Sequence, residues 1–259
     1  MDPLKAYLCC CLFFLGSMMG SFFCFVGDRC LREKPDGWMR RSMCPSCHRS
    51  LGFIELVPVI GWILLRGRCR HCQARISPLY PATEFLAGMS ALSLVQHTIT
   101  TSYELFSYSL LMAAATVLFF TDLKAFRLPV VVTGPILLAG GTGALFYAMD
   151  SRSTSFLING IGCSVLLGAL YCLSKGKMGL GDVLWATAIG FCTRSPYVLF
   201  MVLNIAVYVS IAFVAVRTIA QKARETESSW AIARSIPIPF GAALSVGVWA
   251  EPTIKLFLS

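Results

Sequence analysis

The sequence predicts an all-α polytopic membrane protein with about eight transmembrane helices and one sizeable extramembrane loop that carries four cysteines in metal-binding spacing. Of its 259 residues, 56% are hydrophobic and 14% are charged, and the mean hydropathy is +0.71. A chain of this length cannot hide so much apolar surface in water. The apolar residues also come in stretches of roughly the length that spans a bilayer.

Eight apolar stretches define the predicted helices. The first is too long for a signal-peptide core and is followed by further spans, so we expect it to be a retained helix. One stretch, at 183–193, is short for a span. The predicted helices lie at residues 4–26, 82–99, 103–121, 130–149, 154–174, 183–193, 197–216 and 236–258.

This pattern divides the chain into a first transmembrane helix at 1–26, an extramembrane loop at 27–81 and a transmembrane core at 82–259. With eight spans and the N-terminus outside, the four loops on the inner side hold 18 of the 22 lysines and arginines. Short cytoplasmic loops are enriched in these residues, so those loops are predicted to face the cytoplasm. The net charge of +9 is then a topology signal, and we do not expect nucleic-acid binding.

The loop at 27–81 contains two C-x-x-C motifs. Cys44 and Cys47 are followed, after 21 intervening residues, by Cys69 and Cys72. This spacing resembles a zinc ribbon, in which two knuckles each give two thiolates to a tetrahedral ion. A structural zinc site is the favoured interpretation. A disulfide or free thiols are the alternatives, and a cytoplasmic loop is kept reduced. His48 and His71 adjoin the knuckles but would be surplus to four thiolates.

Two aspartates lie at the edges of apolar stretches, Asp122 after residues 103–121 and Asp182 before residues 183–193. A carboxylate near lipid costs about 3 kcal/mol on insertion scales, so chains rarely place one there without a use. The predicted topology puts both at the same depth. If they face each other, the pair shares a proton, and one carboxylate can activate water while the other polarises a carbonyl. Asp182 as a helix N-cap and Asp122 as an interfacial carboxylate are the structural alternatives.

Four other residues are candidates for the same site. Gly179 and Gly181 precede Asp182 and would let a substrate strand or a partner helix approach the backbone closely. Glu84 could orient a substrate or form an ion pair with Arg75. Glu55 could meet a basic substrate segment, or it could be a solvated loop charge.

The order of these motifs resembles the type IV prepilin peptidases, which are bacterial inner-membrane aspartyl proteases of the GxGD class. The resemblance covers most of the chain, and the shared order and spacing are more specific than any one motif. It rests on Gly20-Ser21-Phe22, Cys44-Pro45-x-Cys47, Glu55-x-x-Pro58, Arg68-Cys69-Arg70-x-Cys72, Tyr80-Pro81 with Glu84, Asp122-Leu123, Leu128-Pro129, Gly179-x-Gly181-Asp182 and Pro239-Phe240-Gly241.

The resemblance implies that Asp122 and Asp182 are the catalytic pair. It implies cleavage of prepilin or pseudopilin precursors at the cytoplasmic face of the inner membrane, between a glycine that ends a basic leader and an apolar residue. It also implies partners in the pilus or type II secretion machinery, besides membrane lipids. Many members methylate the new N-terminus from S-adenosylmethionine. This second activity is left open, because the chain departs from the family pattern at Cys24, Lys124 and Leu184.

Two other classes of function remain as alternatives. A transporter could use paired carboxylates as a proton relay, but both aspartates are predicted near one face of the membrane and no inverted repeat is apparent. A non-catalytic assembly scaffold would use the cysteine loop but would leave the aspartates without a role.

Overall fold

The structure is a computed structural model that describes residues 3–31, 42–92, 102–151, 153–174, 178–222 and 238–258. Within these residues the chain is helical, with two isolated β-bridges in the cysteine loop. The helices are α1 (Pro3–Cys30), α2 (Ile60–Leu64), α3 (Leu79–Leu92), α4 (Ser102–Ala125), α5 (Val130–Ser151), α6 (Ser155–Leu173), α7 (Leu180–Cys192), α8 (Pro196–Lys222) and α9 (Phe240–Leu258).

Each predicted span coincides with a helix, which confirms the all-α polytopic class. Five helices are long and apolar enough to cross a membrane, namely α1, α4, α5, α6 and α8. Helices α7 and α9 contribute shorter apolar segments. The predicted span at 82–99 is helical as far as Leu92, and the rest of it lies outside the described residues. Which side of a membrane each loop faces stays a prediction.

The chain forms two compact units, Met1–Ile99 and Thr100–Ser259. The division predicted from the sequence, at residues 26 and 81, follows the membrane pattern and stays a prediction. In the first unit α1 packs against α3. Gly16 and Gly20 of α1 allow this close packing, because a Cβ on either would lie 2.5 Å or 2.7 Å from the Cβ atoms of Ala91 and Ala87.

In the second unit α7 is the central helix and packs against α4, α5, α6 and α9. Its side chains are almost all enclosed, and Trp185, Ala186, Ala188 and Ile189 are fully buried. At 13 residues it is only about 20 Å long, which is shorter than a bilayer core. A short helix is tolerated here because other helices, rather than lipid, surround it.

Carbonyl groups at the end of α7 and just after it accept hydrogen bonds from side chains of neighbouring helices. Tyr103 of α4 donates its hydroxyl to the carbonyl oxygen of Phe191 at 3.0 Å. The side-chain amide of Asn159 in α6 donates to the carbonyl oxygens of Thr193 and Arg194, at 2.8 and 3.1 Å. These bonds fix the depth of α7 in the bundle and therefore the position of Asp182 at its opposite end.

Candidate functional site

Asp122 lies in the last turn of α4, and its side chain is 4% exposed. Its Oδ2 atom accepts the backbone N–H of Ala242 at 2.7 Å. The backbone N–H of Gly241 also hydrogen-bonds to this carboxylate. Both amides belong to the first turn of α9, where N–H groups have no partner within the helix. Asp122 is therefore held by the start of a helix that is 120 residues away in sequence.

Asp182 lies in the first turn of α7 and is partly buried. The N-cap of this helix is Gly179, so the alternative interpretation of Asp182 as the N-cap is wrong. The carboxylate folds back onto the backbone N–H of Gly179, as the acidic side chain of a capping box does. A Cβ on Gly179 would lie 3.1 Å from Oδ2 of Asp182, so a glycine at this position leaves room for the carboxylate.

The two carboxylates converge on one backbone amide. The N–H of Gly241 hydrogen-bonds to Asp122 and also to Asp182, and the two acidic groups interact electrostatically with each other. The tertiary structure therefore brings together the two aspartates that the sequence singled out. Like charges in such a pair repel each other, and this is the arrangement in which two carboxyl groups can share one proton.

Leu128 completes this cluster from the segment between α4 and α5. A Cβ on Gly181 would lie 2.7 Å from the Cβ of Leu128, and a Cβ on Gly241 would lie 2.6 Å from its two Cδ atoms. The close approach that was expected at Gly181 is thus made by a side chain of the protein itself. Leu128 lies between Gly181, which directly precedes Asp182, and Gly241, which lies at the start of α9. The size of the Leu128 side chain therefore sets the spacing of α7 and α9 at the site.

The backbone amides of Gly241 and Ala242 were not identified as site groups from the sequence. Gly241 was noted only as part of the Pro239-Phe240-Gly241 motif in the last helix. A backbone N–H cannot be recognised from the type of side chain at its position. The only signal in the sequence was the proline and glycine at the start of α9, because free backbone amides occur at the start of a helix.

The four cysteines of the loop come together in the first unit. The four Sγ atoms of Cys44, Cys47, Cys69 and Cys72 lie within 4.8 Å of one another. Zinc bound tetrahedrally by thiolates has Zn–S bonds of about 2.3 Å, which places the sulfur atoms about 3.8 Å apart. The Sγ atoms of Cys44 and Cys72 are 3.8 Å apart. The cluster can therefore hold a metal ion.

The two C-x-x-C motifs have the same backbone conformation. In the first, Cys44 donates its N–H to the carbonyl oxygen of Arg49 and accepts the N–H of His48. In the second, Cys69 donates to Ala74 and accepts from Gln73. His48 and Gln73 occupy equivalent positions, four residues after the first cysteine of each motif, and both have positive φ, 54° and 58°. This repeated turn is the form expected of two metal knuckles.

The electrostatics of the cluster differ between its thiols. Burial disfavours the thiolate of Cys44, but the backbone N–H groups of Cys47 and Ser46, together with the thiols of Cys69 and Cys47, outweigh that effect and lower its pKa to about 7. At Cys72 the backbone N–H of Ala74 favours the thiolate, yet desolvation and the neighbouring thiols raise its pKa to about 11. A bound cation would have to displace the remaining protons. His48 and His71 are exposed and are not part of the cluster.

Glu84 and Glu55 have structural partners within the first unit. The Oε2 atom of Glu84 accepts the backbone N–H of Val59 at 2.7 Å, and the Ser21 hydroxyl also bonds to this carboxylate. Arg75 is not among its partners in the described part of the chain. The Oε2 atom of Glu55 accepts the N–H of Gly52 at 2.6 Å, while its Oε1 atom is buried. Their roles in substrate binding stay predictions.

Comparison with known proteins agrees with these features. Residues 14–98 match the family described as the Bacterial Peptidase A24 N-terminal domain, and residues 109–215 match the Type IV leader peptidase family. The first match contains the four cysteines, and the second contains both aspartates. No solved structure matches the chain.

Several curated proteins are similar over much of their length. A prepilin leader peptidase/N-methyltransferase of Aeromonas hydrophila is 30% identical over 217 residues, which cover 81% of this chain and 70% of that protein. A protein of the same name from Bacillus subtilis is 27% identical over 240 residues, covering 91% of this chain and 90% of that protein. The type 4 prepilin-like proteins leader peptide-processing enzyme of Escherichia coli is 34% identical over 162 residues, covering 58% and 57%.

Proposed function

The chain belongs to the type IV leader peptidase family, and on that premise we propose that it is a membrane aspartic endopeptidase that uses Asp122 and Asp182. Its substrates are type IV prepilin or pseudopilin precursors. The enzyme removes a basic leader that ends in glycine, at the cytoplasmic face of the bacterial inner membrane.

One observation carries this proposal. Asp122 and Asp182 come from different helices, yet both hydrogen-bond to the backbone N–H of Gly241. Aspartic peptidases need two carboxyl groups that share one proton, one to activate water and one to act on the carbonyl. A proton relay would instead need acidic groups spaced along a path through the protein.

The pair supplies all the proton transfers of the reaction. The ionised carboxylate takes a proton from water, and the oxygen of that water attacks the carbonyl carbon of the peptide bond. The protonated carboxyl gives its proton to the carbonyl oxygen, which forms a neutral tetrahedral intermediate. The C–N bond then breaks, and the amine nitrogen takes the proton of the carboxyl group that is now protonated. One hydroxyl of the intermediate gives its proton to the other carboxylate. The products are the leader acid and a free amine, and the pair again holds one proton.

The hydrogen bond from Ala242 orients one member of the pair. Oδ2 of Asp122 accepts this backbone N–H at 2.7 Å. The amide therefore fixes the orientation of the Asp122 carboxylate before a substrate binds, which avoids a cost of reorganisation.

We also propose that the cysteine cluster holds zinc. A set of four thiolates suits zinc, and all four ligand positions would be filled by protein, which is typical of a structural site. The ion would stabilise the loop and take no part in peptide cleavage. The relevant residues are Cys44, Cys47, Cys69 and Cys72.

Methylation of the new N-terminus from S-adenosylmethionine is a second candidate activity, favoured by the names of the relatives. The Oε2 atoms of Glu55 and Glu84 each accept a backbone N–H, and Oε1 of Glu55 is buried without a hydrogen-bond partner among the described residues. No described residue is assigned to the donor, and we derive no step through it. The proposed partners remain the precursors, membrane lipids and the pilus or secretion machinery.

The test is co-expression of the chain with a precursor whose basic leader ends in glycine. The wild type is compared with Asp122→Asn and Asp182→Asn, and the N-terminus of the product is determined by mass spectrometry. Asp150→Asn is the matched control, because Asp150 is an exposed carboxylate at the end of α5. We expect leader removal in the wild type and the control, and loss of removal in both site variants.

The outcomes separate the candidate functions. Cleavage retained in either site variant would contradict the catalytic pair. An added mass of one methylene on the new N-terminus would support methylation, and its absence would restrict the proposal to the peptidase. An intact precursor with well-folded wild-type protein would return the question to the scaffold and transporter alternatives.

A further inference from the structure

An apolar surface projects from the extramembrane loop of the first unit. The segment at 53–64, which we call the apolar elbow, consists of a short 3-10 helix (Ile54–Leu56) and α2. Phe53 is 87% exposed, and Ile63 and Leu64 are 60% and 65% exposed. The large exposed apolar side chains of the elbow are Phe53, Ile54, Leu56, Ile60, Ile63 and Leu64. A surface of this kind marks an interaction site rather than scattered apolar residues.

The elbow has a defined conformation, and its polar side chains bond to other parts of the loop. Gly61 packs so closely that a Cβ there would lie 2.7 Å from the carbonyl oxygen of Ile54. The indole N–H of Trp62 donates to the carbonyl oxygen of Ile76 at 3.1 Å. The only acidic side chain of the elbow, Glu55, bonds to the N–H of Gly52. The exposed face is thus left with apolar side chains.

Contacts within the unit fix the depth of the elbow relative to α1. The carboxylate of Glu84 joins the backbone N–H of Val59, in the elbow, to the hydroxyl of Ser21, in α1. Beyond Ser21 the helix continues with five apolar residues before its first charge at Asp28. Asp28 is seven residues after Ser21, or about 10 Å along the helix. Val59 therefore lies level with the apolar part of α1.

Basic residues accompany the elbow. Within the described part of the loop, residues 42–78, there are five arginines and one acidic residue, Glu55. All five arginines have exposed side chains: Arg49, Arg66, Arg68, Arg70 and Arg75. Arginines beside an apolar surface are suited to anionic lipid headgroups, while the apolar side chains enter the acyl region.

We propose that the apolar elbow is embedded in the lipid leaflet adjoining the Asp28 end of α1, with lipid as its occupant. The depth set by Ser21 and Glu84 and the surrounding arginines both favour lipid over a water-soluble partner. The cysteine cluster then rests on the membrane surface, attached through Trp62 and Ile76. This inference depends on α1 spanning the membrane and does not depend on the peptidase activity.

The experiment places a tryptophan on the elbow of the full-length chain. Ile63→Trp and Leu64→Trp are each reconstituted as single chains in nanodiscs of phosphatidylcholine and phosphatidylglycerol, with and without bromine on the acyl chains. Arg70→Trp is the matched control, because Arg70 is exposed on the second metal knuckle of the same loop. The quenching of each added indole is the difference between the variant and the parent protein, which has five tryptophans.

We expect brominated acyl chains to reduce the emission of the indole at 63 or 64, and to leave the indole at 70 nearly unaffected. A variant is interpreted only if it retains the melting temperature of the parent, and the two elbow positions serve as independent tests. Equal quenching at the elbow and at position 70 would overturn the proposal. So would an unquenched elbow together with crosslinking between two copies through this surface in nanodiscs that hold two chains, which would make a second chain the occupant.

Discussion

Leu128 fills the space that a side chain at Gly181 would need, since a Cβ there would lie 2.7 Å from the Cβ of Leu128. The same side chain is equally close to Gly241, whose N–H bonds to both aspartates. Leu128 is therefore a spacer between the two helix starts that carry the site.

Gly181→Ala is expected to push Leu128 and α7 apart and to cost about 1–3 kcal/mol, as overpacking of a filled site does. A shift of about 1 Å at the aspartates reduces catalysis by a factor of about 100. Precursor cleavage by purified protein measures the effect. The double variant Gly181→Ala with Leu128→Ala should recover activity relative to Gly181→Ala alone. No recovery would indicate that Gly181 acts through the backbone rather than through this contact.

Cys44→Ser is expected to remove bound zinc, because a tetrahedral site with three thiolates loses most of its affinity. The measurement is metal content of protein purified without a chelator, together with proteolysis of the loop. Cys172→Ser is the matched control, since Cys172 is an exposed cysteine of α6 far from the cluster in sequence. Equal metal content in the wild type and in Cys44→Ser would contradict the proposed site.

Tyr103→Phe is expected to destabilise the second unit, because it removes a hydrogen bond at the end of α7. The Tyr103 hydroxyl donates to the carbonyl oxygens of Gly140 and Phe191, at 3.2 and 3.0 Å. Losing a buried hydrogen bond of this kind costs about 1 kcal/mol. Thermal unfolding in detergent gives the change. Tyr208→Phe, at a position with an exposed side chain, should leave the unfolding temperature unchanged. If Tyr208→Phe lowered the unfolding temperature by as much as Tyr103→Phe, the effect would not come from the hydrogen bonds of Tyr103.

Glu84→Ala is expected to release the apolar elbow. Its carboxylate accepts the N–H of Val59, and Val59 has φ 60° and ψ −52°, an unfavourable conformation for a β-branched residue. Strain of this type costs about 1–3 kcal/mol and persists only while other contacts enforce it. Limited proteolysis should therefore cut within 52–66 faster in Glu84→Ala than in the wild type.

Val59→Gly provides the complementary test, because glycine adopts positive φ without strain. Combined with Glu84→Ala, it should slow proteolysis of the elbow again. If Glu84→Ala leaves the cleavage rate unchanged, the carboxylate does not hold the elbow.

The sequence alone was sufficient to predict the helices and the cysteine cluster. Spans follow from local hydropathy, so each predicted stretch coincides with a helix in the described residues. The cysteine spacing predicted the cluster, because two short knuckles bring their thiols together with little help from the rest of the chain. The two aspartates could also be selected, since a carboxylate beside an apolar stretch is costly.

Only the tertiary structure decided which groups meet. Asp122 and Asp182 are 60 positions apart, and the amides that bind them belong to α9, which no local pattern links to α4 or α7. Likewise Glu84 accepts the backbone N–H of Val59, whereas the sequence analysis had named Arg75 as a candidate partner. Packing between distant helices sets these contacts, and backbone donors have no side-chain signature. The residues able to take part in chemistry could thus be identified from the sequence. Their relative positions depended on how the helices of the bundle pack.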